Sequence, residues 1–322
     1  MTESSVGVQA RLRDLSDFAA PWAVWIAATL RLADHIEAGT TGVEELAARV
    51  DADPDALRRL LDYLVGRGVL AEAEGNYANT AVSLLLMDEA GWRQWLDLDG
   101  APGVWAESWA RLLGAIRTGS PGRDEGWYYE ELARTGRAAS FDALMAAQVR
   151  ASADQIADAY DWKSVSHVVD VGGGTGTMLQ TLCATHPHLR GTLFDLPQVV
   201  APLKPVERVD VVAGDVFENP LPHGDVYVLS QILHGWPDDN AANILARCAE
   251  AGGDTVRILL VESLLSNPPT ADEASFDLFM LTLSGGRQRS LDDFRRLGER
   301  VGLALRSSQL LATGNALVEL AR

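Results

Sequence analysis

The sequence predicts an α/β protein in two parts, a mainly helical N-terminal domain and a C-terminal domain built on a doubly wound sheet. Three observations carry this prediction. Apolar residues recur at helical spacing early in the chain, short β-rich runs alternate with helical stretches from residue 167 onward, and three consecutive glycines follow the first of those runs. A chain of 322 residues that is 47% hydrophobic can bury two cores. We therefore expect domains at residues 1–102 and 103–322, with a Gly-Ala-Pro-Gly break at 100–103.

The N-terminal part has the element order of a winged helix. An apolar stripe predicts one long amphipathic helix from Leu12 to Ile36. A capping box at Thr41–Glu44 is expected to open a short helix, and Asp53 followed by Pro54 is expected to start the next one. The segment "GVLAEAEGNYANT" then predicts two short strands around a tight turn. Two helices followed by a hairpin are typical of a winged helix.

Charge argues against nucleic acid as the partner of this winged helix. The chain has a formal charge of −18, and residues 41–80 contain four arginines against eight acidic residues. Binding to a polyanion depends on lysine and arginine contacts, so a DNA-binding module should show the opposite sign. We therefore expect a packing and dimerisation module instead.

Composition points to an ordinary globular enzyme or binding protein. No apolar run is long enough to cross a membrane, and the N-terminal residues lack the order of a signal peptide, so we expect a cytoplasmic protein without a membrane segment. Cys183 and Cys248 lack metal-ligand spacing and are expected to be small buried side chains. We expect no bound metal.

The C-terminal part shows the pattern of βαβ units. The runs "HVVDV", "GTLFD", "VDVVAGD", "DVYVLS" and "RILLVES" are rich in β-branched residues and are separated by helical stretches. This alternation predicts a parallel sheet that is covered by helices on both faces. The last two runs, "LALRSSQL" and "NALVELA", lie close enough in sequence to pair as a terminal hairpin.

Glycines and an acid at the end of the first strand predict a ligand site. Gly172, Gly173 and Gly174 lack Cβ atoms, so the backbone can turn sharply and a ligand can lie against it beside the N-terminus of the next helix. The dinucleotide pattern G-x-G-x-x-G fails, because Thr177 stands at its last position. Asp170 precedes the glycines and suits an ammonium or sulfonium better than a pyrophosphate.

Two further acids follow at the ends of later strands. Asp195 is well placed for ribose hydroxyls, and Asp215 is placed to accept from an adenine amino group with Val216 beside the ring. Each aspartate alone would more often be a cap or a solvated side chain. Together they favour S-adenosylmethionine (SAM) as the ligand.

His234 is the candidate general base. It follows a buried strand in "VLSQILHGWPDD" and shares the rim of the predicted sheet with the acids, unlike the other histidines. Glu262 ends the next strand and could orient the imidazole by accepting a hydrogen bond from its other nitrogen.

These motifs resemble one family. "DVGGGTG", "FDLPQVV", "GDVF", "LHGWPDD" and "SGGRQRS" follow one another as in the SAM-dependent small-molecule O-methyltransferases of plant phenolic and bacterial natural-product pathways. The resemblance implies a class I methyltransferase (Rossmann-like) catalytic domain and a domain-swapped homodimer formed through the N-terminal winged-helix domain. It implies that SAM is the methyl donor and S-adenosylhomocysteine (SAH) the product, and that an aromatic small molecule is the acceptor.

The resemblance also carries site residues over to this chain. It implies that His234 is the general base, that Glu262 orients it, and that cofactor contacts come from Gly172, Gly174, Asp195, Asp215 and Val216. Ser230 stands where plant relatives often have a lysine that contacts the cofactor. The residues that resemble acceptor-pocket positions are Met145, Trp236, Phe279 and Met280.

Two positions depart from the family pattern. Gly235 stands where an aspartate usually follows the histidine, and Gln288 replaces the acid of the usual "GGRER" sequence. A glutamine can form hydrogen bonds but carries no negative charge, so proton transfer or substrate placement could differ here.

The predicted reaction is methyl transfer to an aromatic hydroxyl in antibiotic biosynthesis. Because of the two departures, an indole carbon, an enol or an amine stays open as the acceptor. A relative with a different reaction or no transfer activity and a winged-helix regulator are the remaining alternatives.

Overall fold

A computed structural model describes residues 5–124 and 126–322. The chain divides into two compact units, one ending at Ala106 and one beginning at Glu107. The predicted domain boundary between residues 102 and 103 stays a prediction. Among the described residues, no helix has both the length and the hydropathy that a membrane crossing requires.

The N-terminal unit contains the predicted winged helix. Asp53 caps α5 by accepting a hydrogen bond from the Ala56 amide at 2.9 Å, and Pro54 occupies the first helical position, as the sequence predicts. Strands β1 and β2 then pair as an antiparallel hairpin. The elements are α1 (Ser5–Leu15), α2 (Ala19–Thr29), α3 (Leu32–Glu37), α4 (Val43–Val50), α5 (Pro54–Gly66), β1 (Leu70–Ala73), β2 (Asn76–Asn79), α6 (Ala81–Leu84) and two 3-10 turns, Asp88–Ala90 and Arg93–Trp95.

Two local predictions for this unit were wrong. The long helix from Leu12 to Ile36 is instead three helices, because Asp17 accepts from the Ala19 amide at 2.9 Å and Arg31 adopts a left-handed backbone with φ of +54°. The Thr41–Glu44 capping box is also absent. Gly42 is the N-cap of α4 and makes no side-chain cap, while the Thr41 hydroxyl bonds to the Asn76 side chain at 2.9 Å.

The predicted break at 100–103 is the start of a helix, since α7 begins at Ala101 and accommodates its proline in the first turn. The segment "RTGSPGRDEGWYYEEL" at residues 117–132 predicts a loop, but its last residues form the start of helix α9, and residue 125 lies outside the described residues. The remaining helices are α7 (Ala101–Ser108), α8 (Leu112–Thr118), α9 (Trp127–Arg134), α10 (Ala138–Ala159), α11 (Thr177–Thr185), α12 (Pro197–Val200), α13 (Asp238–Gly252), α14 (Ala271–Leu283) and α15 (Leu291–Glu299).

The C-terminal unit is built on one seven-stranded sheet. Its order is β5-β4-β3-β6-β7-β9-β8, in which the first five strands are parallel and β9 pairs antiparallel with both β7 and β8. All the predicted runs form strands, including the terminal hairpin. The strands are β3 (His167–Val171), β4 (Arg190–Asp195), β5 (Val209–Ala213), β6 (Val226–Ser230), β7 (Arg257–Ser263), β8 (Ala304–Leu310) and β9 (Asn315–Ala321).

Separate hydrophobic clusters cover the two faces of this sheet. Helices α13 and α15 contribute Leu245 and Phe294 to one cluster, and α10 and α11 contribute Ile156 and Leu182 to the other. Cys183 and Cys248 are buried free thiols, as the sequence predicts. The strand order reverses between β3 and β6, and ligands of doubly wound sheets bind at such a switch point, outside the carboxyl ends of the strands.

Candidate active site

The carboxyl ends of four neighbouring parallel strands bring predicted site residues to one edge of the sheet. Asp195 and Ser230 are the last residues of β4 and β6, and Asp170 and Glu262 are the next-to-last residues of β3 and β7. The register pairs Asp170 with both Leu193 and Val228. The predicted cofactor acids therefore lie to one side of the switch point and Glu262 to the other.

The glycine loop after β3 needs its glycines for two different reasons. Gly172 and Gly174 have φ of +72° and +58°, which side chains rarely tolerate. Gly173 lacks a positive φ, but a Cβ there would collide with the Asp170 carboxylate and with Leu193. The sequence analysis expected all three glycines to permit a sharp turn and a close ligand, whereas the specific need for Gly173 is this close approach to Asp170 and Leu193.

Asp195 is tied to the glycine loop. Its carboxylate accepts from the Gly174 amide at 2.8 Å and from the Leu196 amide at 2.7 Å. Burial raises the pKa of Asp195, and these two donors oppose that rise.

Asp170 has no such donors. It is 1% exposed, and neither carboxylate oxygen has a hydrogen-bond partner among the described residues. Burial, with the negative charge of Asp195, raises the pKa of Asp170 to about 7. A buried carboxylate without partners is costly, so this pair of acids beside a bare glycine loop suits a ligand that brings positive charge and hydrogen-bond donors. SAM, which carries an ammonium and a sulfonium, meets that requirement.

The other predicted cofactor residues lie on neighbouring segments. Asp215 is half-buried just beyond β5, and one of its oxygens accepts from the Phe217 amide at 2.8 Å, which is the cap role that the sequence analysis weighed against adenine binding. Val216 packs against the hydrophobic cluster below it. The Ser230 hydroxyl is buried and has no partner among the described residues.

Two residues near Asp195 were not identified from the sequence. The negative charges of Asp195 and Asp142 raise the pKa of Tyr129, which is 40% exposed, and burial and Asp195 raise the pKa of Asp142. Tyr129 belongs to α9 and Asp142 to α10, so both reach Asp195 from helices that precede the sheet in the chain. No local sequence signal relates these helices to the strand ends.

His234 and Glu262 form a close pair. The His234 Nδ1 atom lies 2.7 Å from Glu262 Oε2, and Glu262 Oε1 accepts from the Leu233 amide at 2.8 Å and from the His234 amide at 3.3 Å. Glu262 is fully buried, and the His234 side chain is 14% exposed. An ionised carboxylate only accepts hydrogen bonds, so with Glu262 in that form the neutral imidazole donates from Nδ1 and leaves its lone pair on Nε2.

A row of aromatic rings leads to His234. The rings of His234 and Phe276 meet edge-on, with centroids 5.6 Å apart. The Phe276 and Phe279 ring centroids are 6.0 Å apart. Phe279 stacks on Trp109 with a centroid distance of 6.1 Å and an interplanar angle of 19°. Phe279 was predicted for the acceptor pocket, whereas Phe276 and Trp109 were not. Such a surface suits a flat, apolar molecule.

The other predicted pocket residues have varied surroundings. Trp236 packs edge-on against Phe217 at 4.7 Å and against the core cluster beneath it. Met280 is 5% exposed on α14, and Met145 is half-buried on α10. Gln288 is 4% exposed, and its Oε1 has no partner among the described residues.

Comparison with known families matches most of the chain. An O-methyltransferase domain matches residues 122–304, and an O-methyltransferase dimerisation domain matches residues 13–89. A 2,7-dihydroxy-5-methyl-1-naphthoate 7-O-methyltransferase of Streptomyces carzinostaticus is 40% identical over 92% of this chain and 93% of its own length. Aclacinomycin 10-hydroxylase of Streptomyces purpurascens is also 40% identical, over 92% of this chain and 85% of its own length.

Solved structures agree with these matches. An O-methyltransferase from neocarzinostatin biosynthesis, solved with SAM and 2-hydroxy-5-methyl naphthoic acid, has a TM-score of 0.87 and 38% identity, covering 96% of this chain and 98% of its own. The same enzyme has been solved with SAH and 1,4-dihydroxy-2-naphthoic acid. The predicted class I methyltransferase fold with an N-terminal dimerisation domain is thereby confirmed. The chain belongs to the O-methyltransferase family.

Proposed function

We propose that this protein transfers a methyl group from SAM to a hydroxyl of a flat aromatic molecule in antibiotic biosynthesis. The observation that carries the proposal is the His234–Glu262 pair, which lies across the switch point from Asp170 and faces a row of aromatic rings. One similar enzyme is named for methylating a dihydroxynaphthoate, and a similar solved structure holds a hydroxynaphthoic acid; both molecules are flat and phenolic and therefore support this substrate class.

The chain's own residues supply a base and its orientation. SAM, when bound, supplies a sulfonium methyl that a phenolate oxygen can attack, leaving SAH. His234 accepts the phenol proton at Nε2, while Glu262 holds Nδ1–H and stabilises the imidazolium that forms. Asp170, Asp195, Asp215, Gly172 and Gly174 hold the cofactor in this proposal, with Val216 beside the adenine and Ser230 near the cofactor.

Proton transfer alone does not account for the rate. A free phenol and a free imidazole differ by about 3.5 pKa units, which corresponds to roughly 5 kcal/mol for complete transfer. A nearby positive charge favours the phenolate, and a neighbouring carboxylate favours the imidazolium. Holding the oxygen at attack distance supplies much of the remaining acceleration. We propose that Phe279, Trp236, Met145 and Met280, together with Phe276, do this by lining the acceptor pocket.

Gln288 and Gly235 make this site less negative than the family pattern. Gln288 keeps a buried amide oxygen that can accept a hydrogen bond from the acceptor without adding charge. A Cβ at Gly235 would meet no described atom within 4 Å, so sterics do not explain the glycine. We propose that Glu262 is the carboxylate that supports His234.

The test compares two histidine variants with a panel of hydroxynaphthoates and other phenols and with radiolabelled SAM. We expect His234→Ala to keep SAH affinity and lower kcat by about 10³-fold, because the base is lost while the cofactor side is untouched. His223→Ala is the control, since His223 is exposed and its imidazole bonds to the Ala251 carbonyl away from the rim of the sheet. Full turnover by His234→Ala with an ordinary phenol would contradict the proposed base.

Hydroxylation is the second candidate, because a relative as similar as the methyltransferase is a 10-hydroxylase. Product analysis by mass and NMR separates the two, since methylation adds CH₂ to the acceptor and hydroxylation adds oxygen. The same spectra distinguish an O-methyl product from the C- or N-methyl products that the two departures from the pattern leave open.

We also propose that the protein is a homodimer formed through its N-terminal domain. The match to a dimerisation domain supports this, as do the exposed apolar side chains Leu12, Leu15 and Phe18. We expect light scattering of the full chain to give twice the chain mass, and Leu15→Glu with Phe18→Glu to shift it to the monomer. A monomeric wild-type protein would contradict this proposal. A cytoplasmic location stays a prediction.

A further inference from the structure

The turn that carries His234 is short and is not part of a long regular element. Leu233–Gly235 form a single 3-10 turn between β6 and α13. Gln231 just before it has a left-handed backbone with φ of +59°. A histidine on such a turn cannot rely on a helix or a strand for its position, so other groups must hold the turn.

One buried arginine reaches both sides of this turn. Arg289 is 1% exposed, and its guanidinium donates to the Leu233 carbonyl at 2.5 Å and to the Trp236 carbonyl at 2.8 Å. The two carbonyls flank His234 in sequence. Asp238, at the start of α13, accepts from the same guanidinium at 3.0 and 2.8 Å. The fork geometry of arginine therefore links the residue before His234, the second residue after it and the next helix.

Backbone contacts from residues 286–287, just before Arg289, also hold the His234 turn. The Arg287 amide donates to the His234 carbonyl at 2.9 Å. A Cβ at Gly286 would collide with that carbonyl and with the Gly235 backbone, so only glycine permits this close approach. On the opposite side, Glu262 accepts from the Leu233 and His234 amides. The turn is held by its carbonyls from one side and by its amides from the other.

Burying the charged guanidinium of Arg289 costs desolvation free energy that packing alone does not recover. Burial lowers the pKa of the Arg289 guanidinium, and Asp238 and Glu262 oppose that effect. A buried charge of this kind is often replaceable by apolar side chains without loss of stability, so its bonds to the His234 turn point to a purpose in geometry.

We propose that Arg289 is a positioning residue that holds the His234 turn, so that the imidazole stays bonded to Glu262 and faces the acceptor. The effect on turnover rests on the proposed function, whereas the effect on the turn does not. Arg289 lies outside the set of residues that the family motifs assign to catalysis or binding in this chain.

The experiment uses the full-length protein with Arg289→Met and Arg289→Lys. We expect Arg289→Met to lower kcat by about 10²-fold, the size that a misplacement of roughly 1 Å produces, with SAH affinity and the acceptor KM nearly unchanged. Arg289→Lys keeps the charge but can make only some of the bonds, so we expect about a 10-fold loss. Arg300→Met is the matched control, because Arg300 pairs with the neighbouring Asp239 at the surface and does not contact the turn.

Hydrogen exchange provides a readout that needs no acceptor. In Arg289→Met, the Leu233 and His234 amides should exchange faster while the core strands β3 and β6 keep their protection; in Arg300→Met, nothing should change. If Arg289→Met does not fold, Asp238→Asn loosens the same guanidinium and takes its place. Unchanged exchange and kcat would overturn the proposal, as would a uniform loss of protection together with SAH binding. Faster exchange confined to the turn, in a protein that methylates no phenol, would uphold it and overturn the proposed function instead.

Discussion

The carboxyl ends of the parallel strands form a rim with two halves, β3–β4 and β6–β7, and the buried acids of the two halves differ in their hydrogen-bond partners. On the β3–β4 side, Asp170 is buried without a partner next to Asp195. On the β6–β7 side, Glu262 is buried more completely, yet it accepts from two amides and an imidazole. The first half needs a cationic ligand to balance it, whereas the second is satisfied by the protein itself.

This difference fits the two tasks that we propose for the rim. A cofactor half that holds uncompensated negative charge gains binding energy when a cation enters. A half that carries a general base needs a fixed geometry before the substrate arrives, since positioning is worth more than flexibility at the reacting atoms. The comparison predicts that changes to the His234–Glu262 pair alter kcat and that changes to the cofactor-side acids alter cofactor affinity and its pH dependence.

Glu262→Gln should have the largest effect among the variants that probe this difference. A glutamine offers one acceptor and one donor, so it cannot serve both the two backbone amides and Nδ1–H. If the glutamine NH₂ group faces Nδ1, Nδ1 must accept a hydrogen bond. The imidazole proton then lies on Nε2, which can no longer act as the base. We expect kcat to fall by about 10²- to 10³-fold with SAH affinity retained.

The control for Glu262→Gln is Glu319→Gln, which alters a carboxylate on β9 that bonds to the Tyr160 hydroxyl away from the rim. It should leave kcat unchanged. A kcat for Glu262→Gln within twofold of the wild type would mean that the acceptor half does not depend on its internal charge balance.

Asp170→Asn should change affinity instead of kcat. We expect SAM and SAH to bind about 10- to 100-fold more weakly, since a charge-assisted contact to the cofactor is lost. The raised pKa of Asp170, about 7 against an unperturbed 3.8, means that the native state binds more protons than the unfolded chain between those values. The contribution of Asp170 to the stability of the cofactor-free protein therefore falls as pH rises from about 4 to about 7, and Asp170→Asn should remove that contribution from the measured pH dependence.

The same carboxylate should make cofactor binding pH-dependent. A cation favours the ionised form, so SAM affinity of the wild type should rise as pH passes through about 7, and it should be flat in Asp170→Asn. Isothermal titration calorimetry at several pH values measures the SAM affinity of the wild type and of Asp170→Asn. Asp225→Asn is the control: burial works against ionisation of Asp225, but the Ser166 and His167 amides outweigh it and lower its pKa. An equal pH slope in wild type and Asp170→Asn would assign the effect to another group.

The sequence predicted which residues form the two halves of the rim, but not how the charge of each buried acid is balanced. Strand-end acids and the His234–Glu262 pair follow from local motifs, because a parallel sheet brings strand ends to a common edge whatever lies between them. The charge balance of each acid could not be predicted, since it depends on donors that arrive from distant segments. Tyr129, Phe276 and Arg289 were missed because each comes to the site from a segment distant in the chain, with no local motif that marks it.

Local helix signals were the least reliable part of the sequence analysis. The Leu12–Ile36 stripe has a continuous apolar period, but the hydrogen bond that Asp17 accepts from the Ala19 amide and the left-handed backbone of Arg31 break it into three helices. The Thr41 hydroxyl was expected to cap a helix and instead bonds across to the hairpin at Asn76. At Thr41 a tertiary contact outweighed a capping preference worth about 1 kcal/mol, whereas the helix breaks arise from local backbone and side-chain geometry.

Phe276→Ala should have the smallest effect and refines the acceptor side of the comparison. Phe276 contacts the His234 ring edge and is 36% exposed, so it can cover one face of a flat acceptor without holding the base. We expect the acceptor KM to rise about 5- to 10-fold with kcat nearly unchanged, because a ring contact of this kind is worth about 1 kcal/mol. Leu278→Ala is matched in exposure, at 37%, on the same helix and should leave KM unaltered. A fall in kcat without a change in KM would instead mean that Phe276 helps to hold the imidazole. Helix α14 would then belong, with Glu262, to the part of the site that is fixed before the acceptor binds.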